Sequence, residues 1–241
     1  MYRSLRVLAV APVFDEEKKI GEVVRRVPRD VVDETLVVDD GSKDRSASVA
    51  RELGATVISL PTTSGVGAAL REGYRYGLAH GYDVVVVMAG NNKDAPEEIP
   101  ALLDPIADGR ADFVQGSRYL KKAANFGEMP YYRRVATRVH PVLFSLAAQK
   151  LVTESTNGFR AVTRKVLEDP RIDMGQSWLN AYELEVYLYL RAVQLGYQAR
   201  DKAPRCTGLR TGHRRRRHLA GAHPLQNLFP NLRTRRRFDA A

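Results

Sequence analysis

Short apolar runs alternate with longer amphipathic segments along the first half of the chain. Strands are predicted where the runs are short and rich in β-branched residues, and helices where apolar residues recur every three or four positions. The predicted strands cover residues 5–10, 35–38, 55–58, 84–87 and 112–115, and the predicted helices cover residues 18–27, 45–53, 67–79 and 96–107. This alternation is typical of an α/β fold with a doubly wound, mostly parallel sheet and flanking helices.

The pattern changes after residue 119. A long helix is predicted over residues 131–151, a loop over 152–160, a helix over 182–195 and a last strand over 198–203. We therefore expect one domain over residues 1–205, divided near residue 119 into two halves, followed by a separate tail over 206–241.

The positive charge is concentrated at the C-terminal end. Residues 200–241 hold twelve Lys or Arg and two Asp or Glu, so the net charge of +10 belongs entirely to that segment. Such a basic tail suits an anionic membrane surface, a phosphorylated substrate or nucleic acid, and a solvated end is the plain alternative. Nucleic acid is the least expected partner, because the arginines are not interleaved with aromatic residues that would stack on bases.

The sequence also predicts where the protein resides. No apolar run approaches the roughly 18 residues of a membrane span, the first strand begins almost at Met1 without a signal-peptide pattern, and Cys206 is the single cysteine. We expect a cytoplasmic protein, with a peripheral position on the inner face of the membrane as the variant that the basic tail suggests.

Two carboxylates stand at the end of a predicted buried strand. Asp39 and Asp40 follow an apolar run and precede a Gly-Ser turn, and ligands of open α/β sheets bind just beyond the carboxyl ends of the strands. Adjacent carboxylates at this place accept hydrogen bonds from a base, a ribose or a hydrated metal. Helix capping by Ser42 or Asp44 is the structural alternative, and it accounts for one carboxylate but not for the pair.

Five segments, taken in order, carry a resemblance to a known family. They are residues 11–17 (APVFDEE), 38–42 (VDDGS), 65–71 (GVGAALR), 115–119 (QGSRY) and 156–160 (TNGFR). Together they resemble the inverting family 2 glycosyltransferases of GT-A fold, and most closely those that act on dolichol phosphate or polyprenyl phosphate. The resemblance implies a nucleotide-sugar half over residues 1–119 and an acceptor half over residues 120–205.

The resemblance also implies which residues bind the donor. A carboxylate accepts hydrogen bonds from base and ribose, an aromatic ring packs on either, and guanidinium groups match phosphate oxygens. For Phe14 core packing is the alternative, and for Arg71 a solvated helix face. The implied set is Pro12, Phe14, Glu16, Asp39 and Asp40 around the nucleoside, with Arg71, Arg118 and Arg134 at the phosphates.

The sequence departs from the family at its metal site. Where the family has Asp-x-Asp after the fourth strand, this chain has Ala89, Gly90 and Asn91. Asn91 and Asp94 are the oxygen ligands left for Mg²⁺ or Mn²⁺, and Lys93 is an alternative source of positive charge for the diphosphate. A divalent cation is slightly favoured over a metal-independent site, and the two hypotheses stay open here.

The acceptor half supplies the candidate catalytic residues. Glu154 and Glu185 stand at positions where the family has acidic residues, and either is a candidate base or acceptor-orienting group. Arg160 is predicted to shape the acceptor or sugar pocket, or alternatively to tie its loop to Glu154.

The leading hypothesis is an inverting transfer of a sugar from a UDP- or GDP-sugar to a polyprenyl phosphate. One alternative is the same transfer to a soluble small-molecule acceptor. A nucleotidyltransferase is a second alternative, although it would carry a Gly-rich loop directly after the first strand, where residues 12–16 read PVFDE. A non-catalytic module that binds nucleotide-sugars or anionic surfaces is the third. The sequence holds no signal for an oligomeric state.

Overall fold

The computed structural model of the protein describes residues 1–117 and 131–202, without the side chains of residues 131–134, 136–138 and 202. Arg118, the side chain of Arg134, the predicted boundary at residue 205 and the basic tail therefore lie outside the described residues. None of the described helices combines the length and hydropathy that a membrane span requires.

Strands and helices alternate through the described part of the chain. A short 3-10 turn, Pro96–Glu98, precedes the fourth helix. The elements are β1 (Val7–Val13), α1 (Glu17–Arg26), β2 (Glu34–Asp39), α2 (Ser46–Glu52), β3 (Thr56–Ser59), α3 (Val66–Ala79), β4 (Val84–Val87), α4 (Ile99–Ala107), β5 (Phe113–Gly116), α5 (Tyr131–Ala148), β6 (Arg160–Thr163), α6 (Arg164–Leu167), α7 (Glu183–Gln194) and β7 (Ala199–Lys202).

The seven described strands form one sheet in the order β3-β2-β1-β4-β6-β5-β7. Strands β1 to β4 pair in parallel, as do β5 and β7, whereas β6 runs antiparallel to both β4 and β5. The predicted α/β fold with a mostly parallel sheet is thereby confirmed. The sequence prediction omitted β6 and α6 and ended its loop at residue 160, where β6 begins.

The antiparallel strand β6 brings a loop that is distant in sequence to the edge of the sheet formed by the carboxyl ends of the parallel strands. Arg160, the first residue of β6, lies opposite Val87 of β4 and Gln115 of β5. The loop before Arg160 therefore reaches the edge where the parallel strands end. The chain also changes direction across the sheet between β1 and β4, which creates the crevice where open α/β sheets bind ligands.

Each face of the sheet is covered by its own hydrophobic core. Alternate residues of β1 point to opposite faces, so that Leu8 and Val10 pack with α3, α5, α6 and α7 while Val7 and Ala9 pack with α1, α2 and α4. Burial on both faces explains why the parallel strands are nearly continuous apolar runs. The polar residues that follow them are left at the edge.

Candidate active site

An exposed aromatic side chain marks the end of β1. Phe14 follows the last strand residue and is 46% exposed, so the core-packing alternative for it is wrong. Pro12 is half-buried in the strand beside it. Glu16 lies at the start of α1, where its carboxylate accepts a hydrogen bond from Lys19 Nζ at 2.7 Å and its amide donates to Ser46 Oγ at 2.8 Å. This loop presents one free aromatic face and one ion-paired carboxylate.

The two carboxylates at the end of β2 have different environments. Both are almost fully buried. Oδ1 of Asp39 accepts the amide of Ser42 at 3.0 Å. The two oxygens of Asp40 accept the amides of Ser64 and Gly65 at 2.7 and 2.9 Å. Asp40 therefore holds the loop before α3. Contact with the donor stays a prediction for both carboxylates, and Asp39, which binds a single amide, is the stronger candidate.

The glycine-rich segment at the start of α3 packs tightly against another loop. Gly67 and Ala68 donate their amides to the carbonyl of Asn180, at 2.9 and 3.4 Å. A Cβ on Gly65, which has a φ of +98°, would lie 2.2 Å from that same oxygen. The amides of residues 65, 67 and 68 thus bind Asp40 and Asn180, and so they do not form a phosphate cradle at the N-terminus of α3.

The variant Gly67→Ala tests this close approach. Its Cβ would lie 2.4 Å from the carbonyl oxygen of Leu179 and 2.5 Å from that of Ala181. A Gly-to-Ala change usually stabilises a helix by about 0.5–1 kcal/mol, whereas here we expect a loss of about 1–3 kcal/mol of unfolding free energy, because backbone must move. Urea unfolding measures it. In the control Gly77→Ala the closest atom is a methyl group of Val85, and a loss as large as that of Gly67→Ala would contradict the argument.

The guanidinium group of Arg71 is hydrogen-bonded to the loop that packs against α3. Its Nε donates to the carbonyl of Met174 at 2.8 Å, and one terminal nitrogen donates to the carbonyl of Leu179 at 3.1 Å and to Oδ1 of Asn180 at 2.9 Å. The solvated-face alternative is wrong, because the guanidinium group joins α3 to residues 174–180. Contact with a phosphate stays a prediction for its remaining N–H groups.

The segment after β4 forms a tight turn at residues 89–91, the positions where the resemblance predicts an Asp-x-Asp metal site and this chain has none. A Cβ on Gly90 would lie 2.6 Å from the carbonyl oxygen of Pro12, so the segment after β4 passes close to β1 here. Oδ1 of Asn91 is buried and has no hydrogen-bond partner. Asp94 is also buried, and its Oδ2 accepts the amide of Ala89 at 2.8 Å.

These residues do not fit a resident divalent cation. Such an ion takes about six oxygen ligands, usually including carboxylates, and the turn offers one unpartnered amide oxygen at Asn91 and a carboxylate already bonded to backbone at Asp94. Among the described residues there is no group of three or more His, Cys, Asp or Glu that could hold a metal. Lys93 is exposed at the same turn.

A buried ion pair joins the start of β6 to α7. Arg160 is 1% exposed, and it donates to Oε1 of Glu185 at 2.8 Å, to the carbonyl of Glu185 at 3.1 Å and to the carbonyl of Asn157 at 2.7 Å. The alternative that Arg160 ties its loop to Glu154 is wrong, because Glu185 is its acidic partner. Tyr74 lies behind the pair, and burial raises the pKa of its hydroxyl.

Glu154 is fully buried within the same loop. Its Oε1 accepts the amide of Thr156 at 3.0 Å and the hydroxyl of Thr156 at 2.7 Å. Nδ1 of His140 on α5 lies 2.7 Å from Oγ of Ser155, and burial lowers the pKa of His140 although the charge of Glu154 opposes this. Glu154 therefore orders the loop, and a role as catalytic base stays a prediction.

Sequence reasoning missed two residues that hold the loop over residues 152–160 in place, Asp201 and His140. Asp201 in β7 accepts the amide and the hydroxyl of Thr153, at 2.6 and 2.7 Å, and the hydroxyl of Tyr189 at 3.0 Å. A signal existed for His140, which is a polar residue inside an otherwise apolar helix segment. No local signal marks Asp201, because its partners come from distant parts of the chain.

Comparison with known sequences identifies the family. The model of "Glycosyl transferase family 2" matches residues 9–170. The polyprenol monophosphomannose synthase of Mycolicibacterium smegmatis is 32% identical over 199 residues, which cover 80% of this chain and 74% of that protein. The undecaprenyl-phosphate mannosyltransferase of Micrococcus luteus is 30% identical over 201 residues, which cover 80% and 79%.

Solved structures share the fold. Glucosyl-3-phosphoglycerate synthase of Mycobacterium tuberculosis superposes with a TM-score of 0.63 at 24% identity, covering 90% of this chain and 74% of that one. The same enzyme in complex with Mn²⁺, UDP-glucose and phosphoglyceric acid gives a TM-score of 0.62 at 23% identity, with 84% and 72% covered.

Proposed function

Because this chain belongs to glycosyltransferase family 2, and is thus a glycosyltransferase, we propose that it moves a sugar from a nucleoside-diphosphate sugar to a polyprenyl phosphate. The anomeric centre inverts in this reaction. The observation that carries the proposal is the match, over four fifths of the chain, to relatives named for transfer to polyprenyl phosphates. Family membership disfavours the nucleotidyltransferase and the non-catalytic binding module.

The donor binds at the crevice between β1 and β4. The exposed ring of Phe14 packs on the base or ribose, and the buried carboxylate of Asp39 accepts hydrogen bonds from the nucleoside. Phe14 directly follows β1 and Asp39 is the last residue of β2, so both are held by rigid elements of the sheet. UDP and GDP are the nucleotides to distinguish.

A phosphate acceptor suits a site whose two candidate bases, Glu154 and Glu185, are engaged in other contacts. A polyprenyl phosphate is already anionic near neutral pH and attacks the anomeric carbon without a general base. The two candidate bases are otherwise engaged, because Glu154 is fully buried against Thr156 and Glu185 is paired with Arg160. Positioning of acceptor and donor in line is then the main task of the protein.

A soluble acceptor is the second candidate. The structures of glucosyl-3-phosphoglycerate synthase with phosphoglyceric acid favour it, since they share the fold. A hydroxyl acceptor needs a base to remove its proton. One of the two carboxylates would then have to leave its present partner, which makes this candidate the weaker one.

The same structures contain Mn²⁺ together with UDP, and they support a divalent cation as a companion of the donor. Since the residues after β4 do not fit a resident cation, we propose that the protein does not bind the metal without nucleotide. Asn91 is then the one neutral oxygen ligand that the turn offers, and Lys93 supplies fixed positive charge.

Calorimetric titration tests the donor and the metal together. We expect UDP or GDP to bind, more tightly in Mn²⁺ than in EDTA, while Mn²⁺ alone gives no measurable heat. Asn91→Asp should tighten Mn²⁺-dependent binding about tenfold or more. The matched control Asn92→Asp should not, because Oδ1 of Asn92 accepts a hydrogen bond from Arg26 at 2.6 Å. Absence of nucleotide binding under both conditions would contradict the transferase proposal.

A transfer assay separates the two acceptors. The donor nucleotide that binds is supplied as its glucose and mannose conjugates, with either a short-chain polyprenyl phosphate or phosphoglyceric acid. Product on the polyprenyl phosphate alone is the expected result. Product on phosphoglyceric acid alone would favour the soluble acceptor and refute the lipid one.

A further inference from the structure

Helix α5 carries an apolar face that the described part of the protein leaves uncovered. The exposed residues are valines and leucines that recur every three or four positions, with exposed fractions between 43% and 71%. This spacing places them on one side of the helix. We call this set the α5 stripe: Val135, Val139, Val142, Leu143 and Leu146.

The rest of α5 is packed as an ordinary core helix. Phe144 is buried and stacks on Tyr189 of α7, with ring centroids 5.0 Å apart, and Ala148 is buried beside them. The α5 stripe therefore lies on a different side of the helix from these packed residues. The helix is apolar on two sides, and contiguous exposed apolar surface of this kind marks a binding face.

The charge of the helix indicates what covers the stripe. The sequence of α5 contains three arginines and no acidic residue, and the exposed Lys150 follows it. Residues 200–241 hold twelve Lys or Arg against two Asp or Glu, and they account for the whole net positive charge of the chain. An apolar face on a basic helix suits an anionic lipid surface, which takes both the aliphatic groups and the positive charge.

A second copy of this chain suits the stripe less well. A two-fold interface places the same surface on both sides. Two neighbouring α5 helices would then carry six arginines and no acidic residue between them. Like charge on both partners opposes association.

We propose that the α5 stripe docks the protein on the surface of an anionic bilayer. The helix lies in the interface and does not span the membrane. The loop over residues 152–160 lies against α5, since Nδ1 of His140 is 2.7 Å from Oγ of Ser155 and the amide of Val152 donates to Oγ of Ser145 at 3.0 Å, so docking through α5 places that loop near the membrane. This inference rests on the stripe itself, and it deepens the proposed function by supplying a route to a lipid-linked acceptor.

The single cysteine makes a direct test practical. In the full chain, Cys206→Ser removes that thiol, and Leu146→Cys places an environment-sensitive fluorophore on the stripe. Asp30→Cys, at an exposed position after α1, is the control site. Vesicles of phosphatidylcholine, with and without phosphatidylglycerol and free of polyprenyl phosphate, are added at about 0.1 M and about 0.5 M NaCl.

We expect a blue-shifted, brighter signal from the probe at position 146 on anionic vesicles, and no change from the probe at position 30. Electrostatic binding by the basic tail weakens at the higher salt, whereas insertion of the stripe persists. Val142→Ser with Leu143→Ser should lower the partition coefficient at high salt about tenfold or more. The conservative pair Val142→Ile with Leu143→Met should retain it.

Two results would overturn the proposal. One is vesicle binding that leaves the probe at position 146 unchanged, which would assign binding to another part of the chain. The other is a blue shift without vesicles that grows with protein concentration, which would assign the stripe to self-association. Neither result bears on sugar transfer, because these vesicles contain no acceptor and the transfer assay uses a short-chain one.

Discussion

Arg160→Met is expected to lower the free energy of unfolding by about 3–5 kcal/mol, since it leaves a partly buried carboxylate without its partner. Among the described residues Arg160 is the one ion-pair partner of the Glu185 carboxylate, and its guanidinium group also binds the carbonyls of Asn157 and Glu185. Methionine fills much of the same volume but donates no hydrogen bond. Urea unfolding monitored by circular dichroism measures the loss.

The matched control is a surface ion pair of similar geometry. Arg75 pairs with Glu72 at 2.6 Å on α3, and its side chain is 61% exposed. Exposed pairs contribute little because water and salt screen them, so Arg75→Met should leave the unfolding midpoint unchanged. Equal losses in the two variants would show that burial of Arg160 is not what makes its pair important.

A double variant separates the pair from the packing around it. Arg160→Met combined with Glu185→Leu removes both charges, and we expect it to regain a large part of the lost stability, because no uncompensated charge is left. The carbonyls that Arg160 binds stay unsatisfied, so recovery is incomplete. Strictly additive losses would contradict an ion pair as the source of the effect.

Much of the fold could be predicted because its signals are local. The parallel strands are buried on both faces, so each appears as an apolar run of strand length, and the helices between them have their own periodicity. Strand β6 gives no such signal. Its four residues, Arg160 to Thr163, begin with a charged side chain, and the strand exists because β4 and β5 pair with it on either side.

The candidate site was predictable in position but not in its internal contacts. Phe14 directly follows β1 and Asp39 ends β2, and the ends of the strands define the edge of the sheet. The partner of Arg160 was not predictable, because Glu185 is 25 residues away and reaches it only through the packing of α7. Arg71 is a similar case, since its guanidinium group donates to the carbonyl of Met174, which is distant in sequence.

The neighbouring carboxylates Asp39 and Asp40, at the end of β2, show the same limit of sequence-based prediction. Adjacent in sequence, Asp39 and Asp40 are chemically identical, and a motif cannot assign them different tasks. The structure separates them, because Asp40 uses both oxygens on the amides of residues 64 and 65 whereas Asp39 binds one amide through Oδ1.

Asp39→Asn should therefore lower nucleotide affinity more than stability, whereas Asp40→Asn should lower stability more than nucleotide affinity. Asp39→Asn keeps an oxygen for the amide of Ser42 but loses the charge, so nucleotide affinity should fall about 10- to 150-fold, the equivalent of about 1.5–3 kcal/mol for a hydrogen bond to a charged group. The unfolding free energy should be nearly unchanged. Calorimetric titration with the nucleotide that binds the wild type measures the affinity, and urea unfolding provides the stability.

Asp40→Asn is the matched variant and should lose stability first. Its amide group presents only one acceptor oxygen, so one of the amides of Ser64 and Gly65 faces an NH₂ group, at a cost of about 1–3 kcal/mol. Nucleotide affinity should fall less than in Asp39→Asn, because the loop before α3 is loosened but the ligand contact is kept. If Asp40→Asn instead abolished binding at wild-type stability, the donor carboxylate would be Asp40, and the loop amides would have to exchange partners when the nucleotide binds.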